Sequence, residues 1–531
     1  MTERPGTVES RPVKRFLSWL ICGTTLALAV LAVVVVTLIY HVEPILKGRV
    51  IETLAARFHG RVEFQEFHVS VRNGFQVSGA GLKIFGPADP NPLQSGIQPL
   101  ITIAEFRFDA PIVNLLHSPM HVRRVYLKGL VVNVPPRKQQ RHDVFEGSKI
   151  TIYVDEFISD QAQLVINTLR PGKLPLEFDI RNLEMKEIGP GQPFLFNVTL
   201  LNPKPVGAIR STGIFGPWQA DDPRSSPVKG KYRFTHADLS SINGIGGILS
   251  STGEYSGTLG NIVVDGRTDT PDFRISRSGH PVPLHTDFHA IVDGTSGDTY
   301  LEPVKARILQ SSLIAKGSVL RVKDPKGHRV VLDVTVNPAR IDDLLKLGVQ
   351  TDPPVMTGAA QLKTKFDLEP GKATISDRLR LAGIFRIFGA HFTSEKVQSK
   401  VDALSMRSQG RPKEAKASPV DVLSEMNGTF RLSDGLLFFS NLHYEIPGTK
   451  VDLTGKYSLD GNQFDFQGKA RMNAKLSHMV TGWKSILLKP VDPFFSKHGA
   501  GTEIPITMTG TKSEPHFGFD FGQKKKQESS R

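Results

Sequence analysis

From residue 62 onward, apolar and polar residues alternate along much of the chain. In "IAEFRFDA", Ala104, Phe106, Phe108 and Ala110 alternate with charged residues. The segments "PLEFDIRN", "RVVLDVTV", "KVDLTGKYSLDG" and "FDFQGKARMN" repeat the pattern. A period of two is typical of strands with one apolar and one wet face. Turn signals such as "SLDGNQF" and "LSDGLLF" join neighbouring segments as hairpins. The sequence therefore predicts a mainly β fold built on an antiparallel sheet.

Helical patterns are few and short. "EPILKGRVIETLAARFHG" carries Leu46, Val50, Leu54 and Phe58 at helical spacing, and Gly60 ends it. Further helices are predicted at 339–348 and 474–490, with a weaker pattern at 237–247. The stripe of 474–490 consists of Leu476, Met479, Val480, Trp483, Ile486 and Leu487. Such a stripe packs on a sheet and caps its open end, or it lies on a membrane and receives lipid.

Before the sheet pattern comes a long uncharged segment. Phe16–Tyr40 is 25 residues without a charge, with Trp19 and Tyr40 near its ends. A cleaved signal has a shorter apolar region, of roughly 7–15 residues, while a spanning helix needs about 20. We therefore predict an uncleaved membrane anchor. Basic residues flank both ends and do not set its orientation, but long C-terminal regions translocate largely regardless of charge.

These patterns divide the chain into five predicted parts. They are a cytoplasmic tail at 1–15, a transmembrane anchor at 16–40, a juxtamembrane helix at 41–60, an elongated β-rich region at 61–520 and a polar tail at 521–531. The single cysteine, Cys22, lies within the predicted anchor. The external part therefore cannot form disulfides, which fits an oxidising compartment without requiring one.

Composition narrows the choice of partner. The formal net charge is +14. A basic surface beside a bilayer is attracted to anionic headgroups. Nucleic-acid binding is the rival interpretation, but the sequence has no zinc-finger spacing and no compact basic stripe with interleaved aromatics. We expect a membrane partner and no nucleic acid.

No catalytic motif stands out. The chain lacks a G-x-S-x-G elbow, a phosphate-binding Walker loop, a G-x-G-x-x-G loop and an H-E-x-x-H helix. His285, Asp287 and His289 would point to one side of a strand, as metal ligands or as a wet strand face. A second histidine pair, His117 and His121, has the same spacing. We interpret the first set as a wet face, and predict a protein that is not an enzyme and holds neither metal nor cofactor.

Four longer segments carry a family resemblance. They are "LAARFHGRVEFQEFHVSVRNGFQVSGAGLKI", "FRFDAPIVNLLHSPMHVRRVYLKGLVVNVPP", "NGTFRLSDGLLFFSNLHYEIPGTKVDLTGKYSL" and "GTEIPITMTGTKSEPHFGFD". Together with the anchor and short helix, they resemble the AsmA-like family of bacterial envelope proteins, which is related to bridge-like lipid-transfer proteins with a β-groove. The resemblance covers most of residues 40–520. It implies an inner-membrane protein whose bulk lies in the periplasm, active in phospholipid transport or outer-membrane homeostasis.

The apolar side of the predicted strands must be buried somewhere, and two hypotheses follow. The sheet curls into an open β-groove that holds the acyl chains of a phospholipid or another lipid, or it closes over a dry core in a non-catalytic scaffold that binds other envelope proteins. Alternation is the same in both. The residues expected to line a groove are Phe106, Phe108, Phe178, Ile180, Leu332, Val334, Leu453, Tyr457, Phe464 and Phe466.

Overall fold

The structure is a computed structural model that describes most of the chain after residue 60. Before that point it describes Val30 and eleven scattered residues between 43 and 58. The described ranges that follow are 60–70, 75–86, 99–110, 120–134, 152–167, 173–219, 222–276, 280–349, 352–416, 421–459, 463–481, 489–490, 492–495, 501–511 and 514–519.

The chain forms two compact units. Unit 1 comprises Met1–Ile166 and Asp179–Phe196, and unit 2 comprises Asn167–Phe178 and Asn197–Arg531. Strands make up 64% of the residues that the structure describes, far above the 20–25% typical of soluble proteins. The fold is therefore mainly β, as the alternation predicts, with only short helices.

Unit 1 is a sheet with mixed pairing. Its strands are β1 Val62–Glu63, β2 Glu66–Ser70, β3 Phe75–Ile84, β4 Ile101–Ala110, β5 Met120–Lys128, β6 Val131–Val134 and β7 Ile152–Ile166. β1 and β2 pair antiparallel with β3, β3 with β4, and β4 with β5 and β6. β7 instead runs parallel to β5 and β6. The purely antiparallel prediction is wrong here, because β7 follows a longer connection than a hairpin and can enter the sheet in either direction.

A filled hydrophobic core holds unit 1 together. Phe106 is only 3% exposed, and its ring lies 5.6 Å from that of Phe64 and 5.4 Å from that of Phe108. The described residues between 43 and 58 are helical, and apolar members of this segment, including Leu54 and Phe58, pack against the same core. This helix follows the predicted spacing and covers the apolar side of the sheet.

Unit 2 carries the longer run of strands. β8 Leu176–Ile188 and β9 Phe194–Pro203 contribute residues to both units. The strands that follow are β10 Val206–Phe215, β11 Pro227–Asp238, β12 Ile245–Gly246, β13 Ile248–Thr258, β14 Asn261–Ile275, β15 Val282–Val292, β16 Thr299–Ile308, β17 Ser311–Val322, β18 Gly327–Arg340, β19 Met356–Leu368, β20 Leu379–Phe392, β21 Ser424–Ser433, β22 Leu436–Ile446, β23 Thr449–Ser458, β24 Phe464–Met472, β25 Thr502–Gly510 and β26 Pro515–Phe519.

The pairing in unit 2 is a simple meander. Each strand from β10 to β26 pairs antiparallel with the next one along the chain, except that the short β12 pairs with β14 while β11 pairs directly with β13. Consecutive pairing follows from the short turns that join most of these strands.

The helices of unit 2 lie between strands. They are α1 Ile341–Gly348, α2 Ile375–Arg378, α3 Glu395–Ser408 and α4 Asp492–Phe495, with 3-10 turns at Pro223–Ser225, Leu239–Ser241, Glu414–Lys416 and Leu476–Met479. α1 falls within the predicted 339–348. The pattern at 237–247 yields only a 3-10 turn and a two-residue strand. Of the stripe predicted at 474–490, Leu476, Met479 and Val480 are described, and Trp483, Ile486 and Leu487 lie outside the described residues.

The predicted anchor cannot be placed by the structure. Phe16–Tyr40 lies outside the described residues apart from Val30, as do the predicted tails at 1–15 and 521–531. Among the helices that are described, none is long and apolar enough to cross a membrane.

Candidate functional site

The most extended surface of unit 2 is one side of its sheet. Directly opposed residues on paired strands share a face. Phe288 lies opposite Val304, Val334 opposite Thr364, and Phe466 opposite Met508. From β11 to β25 the row of opposed residues is Tyr232, Gly253, Gly266, Phe288, Val304, Ala315, Val334, Thr364, Gly383, Phe430, Phe439, Gly455, Phe466 and Met508. We call this side of β11–β25 the apolar face.

Six of the ten residues predicted to line a groove lie on the apolar face. Val334 and Phe466 belong to the row given above. Leu332 belongs to a neighbouring row that continues through Phe366, Leu381, Leu432, Leu437, Tyr457 and Phe464. Leu453 belongs to a third row with Leu442 and Gly468. Residues from β18, β23 and β24, far apart in sequence, are therefore joined in one surface.

The other four predicted residues lie elsewhere. Phe106 and Phe108 belong to the core of unit 1, where Phe106 is fully covered. Phe178 and Ile180 are half-buried on β8 and alternate with the exposed Glu177 and Asp179. Phe106 therefore does not line an open surface, because the helical segment and other rings of unit 1 pack over it.

Burial differs between the two sides of the unit 2 sheet. On the side opposite the apolar face, Ile314 is 46% exposed and Ile384 is 56% exposed. On the apolar face, Leu332, Leu453 and Phe466 are half-buried, and Phe430 and Leu432 are buried, with 9% and 3% of their surface exposed. Apolar residues of similar size are thus better shielded from water on one side than on the other, as on the inner side of a curved sheet.

The described buried cluster of unit 2 lies at one end of the sheet. It consists of Met472, Met479 and Ile504, with Leu476, Phe495 and Ile506 packed beside it. Ile506 lies opposite Gly468, so the cluster adjoins the third row at the end of β24 and β25. The residues named above in the three rows do not belong to it.

Aromatic rings line the C-terminal part of the apolar face. The ring of Phe385 lies 6.2 Å from that of Phe430 and 6.1 Å from that of Phe439, and Phe439 lies 5.9 Å from Phe466. Such spacings are within the range of favourable ring contacts. The four rings form a continuous apolar strip across β20, β21, β22 and β24.

Glycines opposite the rings let them lie flat on the sheet. Gly455 faces Phe466, and a Cβ at Gly455 would lie 2.6 Å from Phe466 Cδ1. Gly266 faces Phe288 in the same way, with 2.6 Å from the built Cβ to Phe288 Cζ. A ring that lies across a glycine covers backbone without projecting from the sheet.

The N-terminal part of the apolar face is richer in hydroxyl groups. Tyr232 Oη lies 2.9 Å from Ser251 Oγ, and Tyr255 Oη lies 2.7 Å from Ser211 Oγ. Burial raises the pKa of both Tyr232 and Tyr255. We call β10–β15 the hydroxyl section and β17–β25 the hydrocarbon section of unit 2. The tyrosine and serine hydroxyls bond to one another, so they can be buried at low cost.

The opposite side of the sheet, which we call the charged face, carries the predicted histidine set. His285 Nδ1 lies 2.6 Å from Asp269 Oδ1, and His289 Nδ1 lies 2.8 Å from Asp265 Oδ1. Each histidine thus has its own aspartate on β14, and the two do not converge with Asp287. The described residues contain no group of three His, Cys, Asp or Glu side chains placed to hold a metal. His121 stacks on Tyr153 at 5.1 Å, and His117 lies outside the described residues.

Depressions in the sheet of unit 2 also lie on the charged face. One, of about 630 Å³, is lined by Arg210, Arg233, Arg267 and Asp287 among others. Another, of about 730 Å³, is lined by Gln361, Lys363 and Arg386. The first lining is mainly charged, and the second combines Lys363 and Arg386 with amide and apolar groups such as Asn427 and Phe385.

One element at the end of these strands was not predicted. The buried positions of α3 are mainly polar, because they are Gln398, Asp402, Ser405 and Ser408, with the apolar Met406 beside them. A search of the sequence for buried apolar stripes at helical spacing does not detect such a segment. The spacing of Val397, Val401 and Leu404 is helical and was the available signal.

Comparisons with protein families, with curated proteins and with solved structures gave no match to this chain.

Proposed function

We propose that this protein binds lipid acyl chains along the apolar face of unit 2, as a non-catalytic component of phospholipid transport or outer-membrane homeostasis. In this proposal Phe16–Tyr40 anchors the chain in the inner membrane and the remainder lies in the periplasm. The observation that carries the proposal is a continuous apolar surface along one side of the sheet, on which Leu332, Leu453 and Phe466 are only half-buried. The family resemblance of the sequence agrees with it.

The physical argument concerns exposed apolar area. Each square ångström of apolar surface removed from water contributes about 25 cal/mol. Large exposed patches mark sites that bind a partner. An acyl chain fits because it is apolar along its length and needs no hydrogen bonds. The aromatic strip through Phe385, Phe439 and Phe466 offers only carbon to such a ligand.

The dimensions of the hydrocarbon section support more than one lipid. Its nine strands, at about 4.8 Å between neighbours, extend roughly 38 Å across the face. One leaflet of a bilayer core is about 15 Å thick, half of the roughly 30 Å hydrocarbon core. Chains lying along the row direction would therefore follow one another, as a conduit requires.

The second hypothesis, a closed scaffold, has its best support in unit 1. There Phe64, Phe67 and Phe106 form a filled core with a helix over it. That unit can serve as a platform for other envelope proteins. Its core contains none of the residues of the apolar face of unit 2.

A pair of charge substitutions tests the proposal. Leu453→Asp and Phe466→Glu place a carboxylate on the apolar face, while Thr454→Asp and Gln467→Glu place one on the exposed side of the same strands. The full chain is purified from cells and its bound phospholipid is measured by native mass spectrometry. We expect Leu453→Asp and Phe466→Glu to accumulate normally and to lose most of the bound lipid, because a charge opposes passage of an acyl chain. The two controls should retain it.

Two outcomes would count against lipid binding. Unchanged lipid in Leu453→Asp and Phe466→Glu, at normal abundance, would show that the apolar face is not the binding surface. Failure of both variants to accumulate, with normal controls, would indicate a buried unpaired charge in a closed core.

A further inference from the structure

Helix α3 reverses the usual arrangement of a surface helix. Its polar residues Gln398, Asp402 and Ser405 are 4%, 5% and 0% exposed. A helix at a protein surface normally buries its apolar stripe and exposes its polar one. The reversal requires another explanation for where the apolar residues point.

Hydrogen bonds hold the polar side of α3 to the sheet. Gln398 Nε2 donates to Val422 O at 2.9 Å, and Val422 N donates to Asp402 Oδ1 at 3.0 Å. Ser405 Oγ donates to Pro447 O at 2.7 Å. These bonds fix the rotation of the helix about its axis without using its aliphatic residues.

The aliphatic residues of α3 face water instead. Val397 is 41% exposed and Leu404 is 37% exposed, with Val401 half-buried between them. Spacings of four and three residues place all three on one side of the helix, at about 3.6 residues per turn. We call Val397, Val401 and Leu404 the α3 stripe.

A basic row runs beside the α3 stripe. Lys396, Lys400 and Arg407 are exposed and fall together on the neighbouring strip of the helix. The structure gives Lys396 and Lys400 no ion pair among the described residues. An apolar strip flanked by lysine and arginine is the arrangement of helices that lie in the interface of an anionic membrane.

The position of α3 adds further apolar surface. The helix packs on β20, β23 and the 3-10 turn Leu476–Met479, at one end of strands that carry the aromatic strip. Val355, whose carbonyl accepts from Thr393 N just before the helix, is 42% exposed, and Leu423, next to the Val422 anchor, is 58% exposed.

We propose that α3 docks this end of unit 2 onto a bilayer surface that contains anionic lipid. The α3 stripe enters the boundary between headgroups and acyl chains, while Lys396, Lys400 and Arg407 contact the phosphates. Docking places a membrane next to the α3 end of the proposed lipid-binding face. This role of the docking rests on the proposed function. The contact itself is a separate property that can be measured without lipid in the sheet.

A fluorescent probe on the helix tests the docking. Cys22 is the only cysteine, so Cys22→Ser allows one labelled cysteine in the full chain, kept soluble in a non-ionic amphipol. An environment-sensitive dye is attached at Leu404→Cys, or at the control Ile384→Cys on the charged face. Vesicles of phosphatidylcholine with or without phosphatidylglycerol are then added. We expect a blue shift at 404 with the anionic vesicles, little shift at 384, and a loss of the signal in high salt.

Charge variants give the size of the effect. Lys396→Gln combined with Lys400→Gln should weaken binding to the anionic vesicles about tenfold or more at low salt. Lys363→Gln combined with Lys365→Gln, on β19, removes the same charge away from α3 and should change binding little. Bound phospholipid is measured in every variant as above.

The outcomes separate the two proposals. No shift at 404 in a protein that retains its bound phospholipid would overturn membrane docking by α3 and leave the proposed function intact. A shift at 404 in a protein whose apolar face binds no lipid would support docking and reject the proposed function. A shift at 404 that follows protein concentration without vesicles would assign the α3 stripe to self-association and overturn the bilayer as its partner.

Discussion

The strands of the two units share the same alternating sequence pattern, but their aromatic side chains are buried to different degrees. In unit 1, Phe106 is 3% exposed within a cluster of rings and under a helix. In unit 2, Phe466 occupies an equivalent place in an alternating strand and stays half-buried beside the ring of Phe439. The pattern "FRF" in β4 and the pattern "FDF" in β24 do not differ in kind.

The difference between the units shows what an alternating strand specifies. It specifies which side chains share a face, because the backbone repeat is local. It does not specify what covers that face, since the cover comes from a distant segment. Unit 1 has such a segment in the helical residues between 43 and 58. The corresponding cover for the apolar face of unit 2 is, in our proposal, lipid.

The largest expected effect is the difference in stability lost when one phenylalanine ring is removed from each unit. Phe106→Ala leaves a cavity in a packed core and should cost about 3–5 kcal/mol. Phe466→Ala should cost less, because the ring of Phe466 is only half-buried and less apolar surface is therefore returned to water. Hydrogen exchange measured on β3 and on β23 reports the local stability of each unit. Equal losses at both sites would show that unit 2 is as tightly packed as unit 1, and would break the comparison.

A smaller loss of stability is expected when a methyl group is added at a glycine of the apolar face. Gly455→Ala would bring Cβ into close contact with Asp465 O and place it 2.6 Å from Phe466 Cδ1. The backbone contact cannot be relieved by a rotamer change, so we expect a loss of about 1–3 kcal/mol. Gly348→Ala, where nothing lies within 4 Å, is the control and should be neutral or slightly stabilising. Thermal unfolding followed by circular dichroism compares the two, and a neutral Gly455→Ala would contradict the close approach of ring and glycine.

The smallest expected effects are changes in the pKa of one tyrosine in each unit. A hydrogen bond to the Asp160 carboxylate raises the pKa of Tyr126, whereas burial raises the pKa of Tyr255 and its bond to Ser211 lowers it. Asp160→Asn should therefore lower the pKa of Tyr126, and Ser211→Ala should raise the pKa of Tyr255 further. Carbon-13 NMR of labelled tyrosines, assigned by Tyr→Phe variants, measures both. Shifts of the same sign would show that one cause acts in both units.

The raised pKa of Tyr255 makes the stability of the folded protein depend on pH. Because the pKa of Tyr255 is higher in the folded state than the ordinary value of 10.0, its contribution to stability is present below pH 10. That contribution is lost as the pH rises through the folded value, since the unfolded chain ionises first. Tyr255→Phe should reduce the loss of stability in this range.

Sequence and structure agree best on the strands and least on the helices. Strand segments such as "RVVLDVTV" lie in β18 as expected, and α1 forms within the predicted range. α3 was missed because its buried side is polar, and its anchoring partners at Val422 and Pro447 belong to other segments. Phe106 was assigned to an exposed lining because the residues that cover it are not its sequence neighbours.

The sequence by itself determined the strands, their two faces and the residues that meet on each face, because these follow from a two-residue repeat and short turns. It placed Leu332, Val334, Leu453, Tyr457, Phe464 and Phe466 on one kind of face before their strands were joined. Only the tertiary structure decided that these six form a continuous surface, that Phe106 is enclosed, and that α3 turns its valines and leucine outward. Each of those outcomes depends on contacts between segments that are distant along the chain. No local sequence pattern specifies which distant segment packs at a given place.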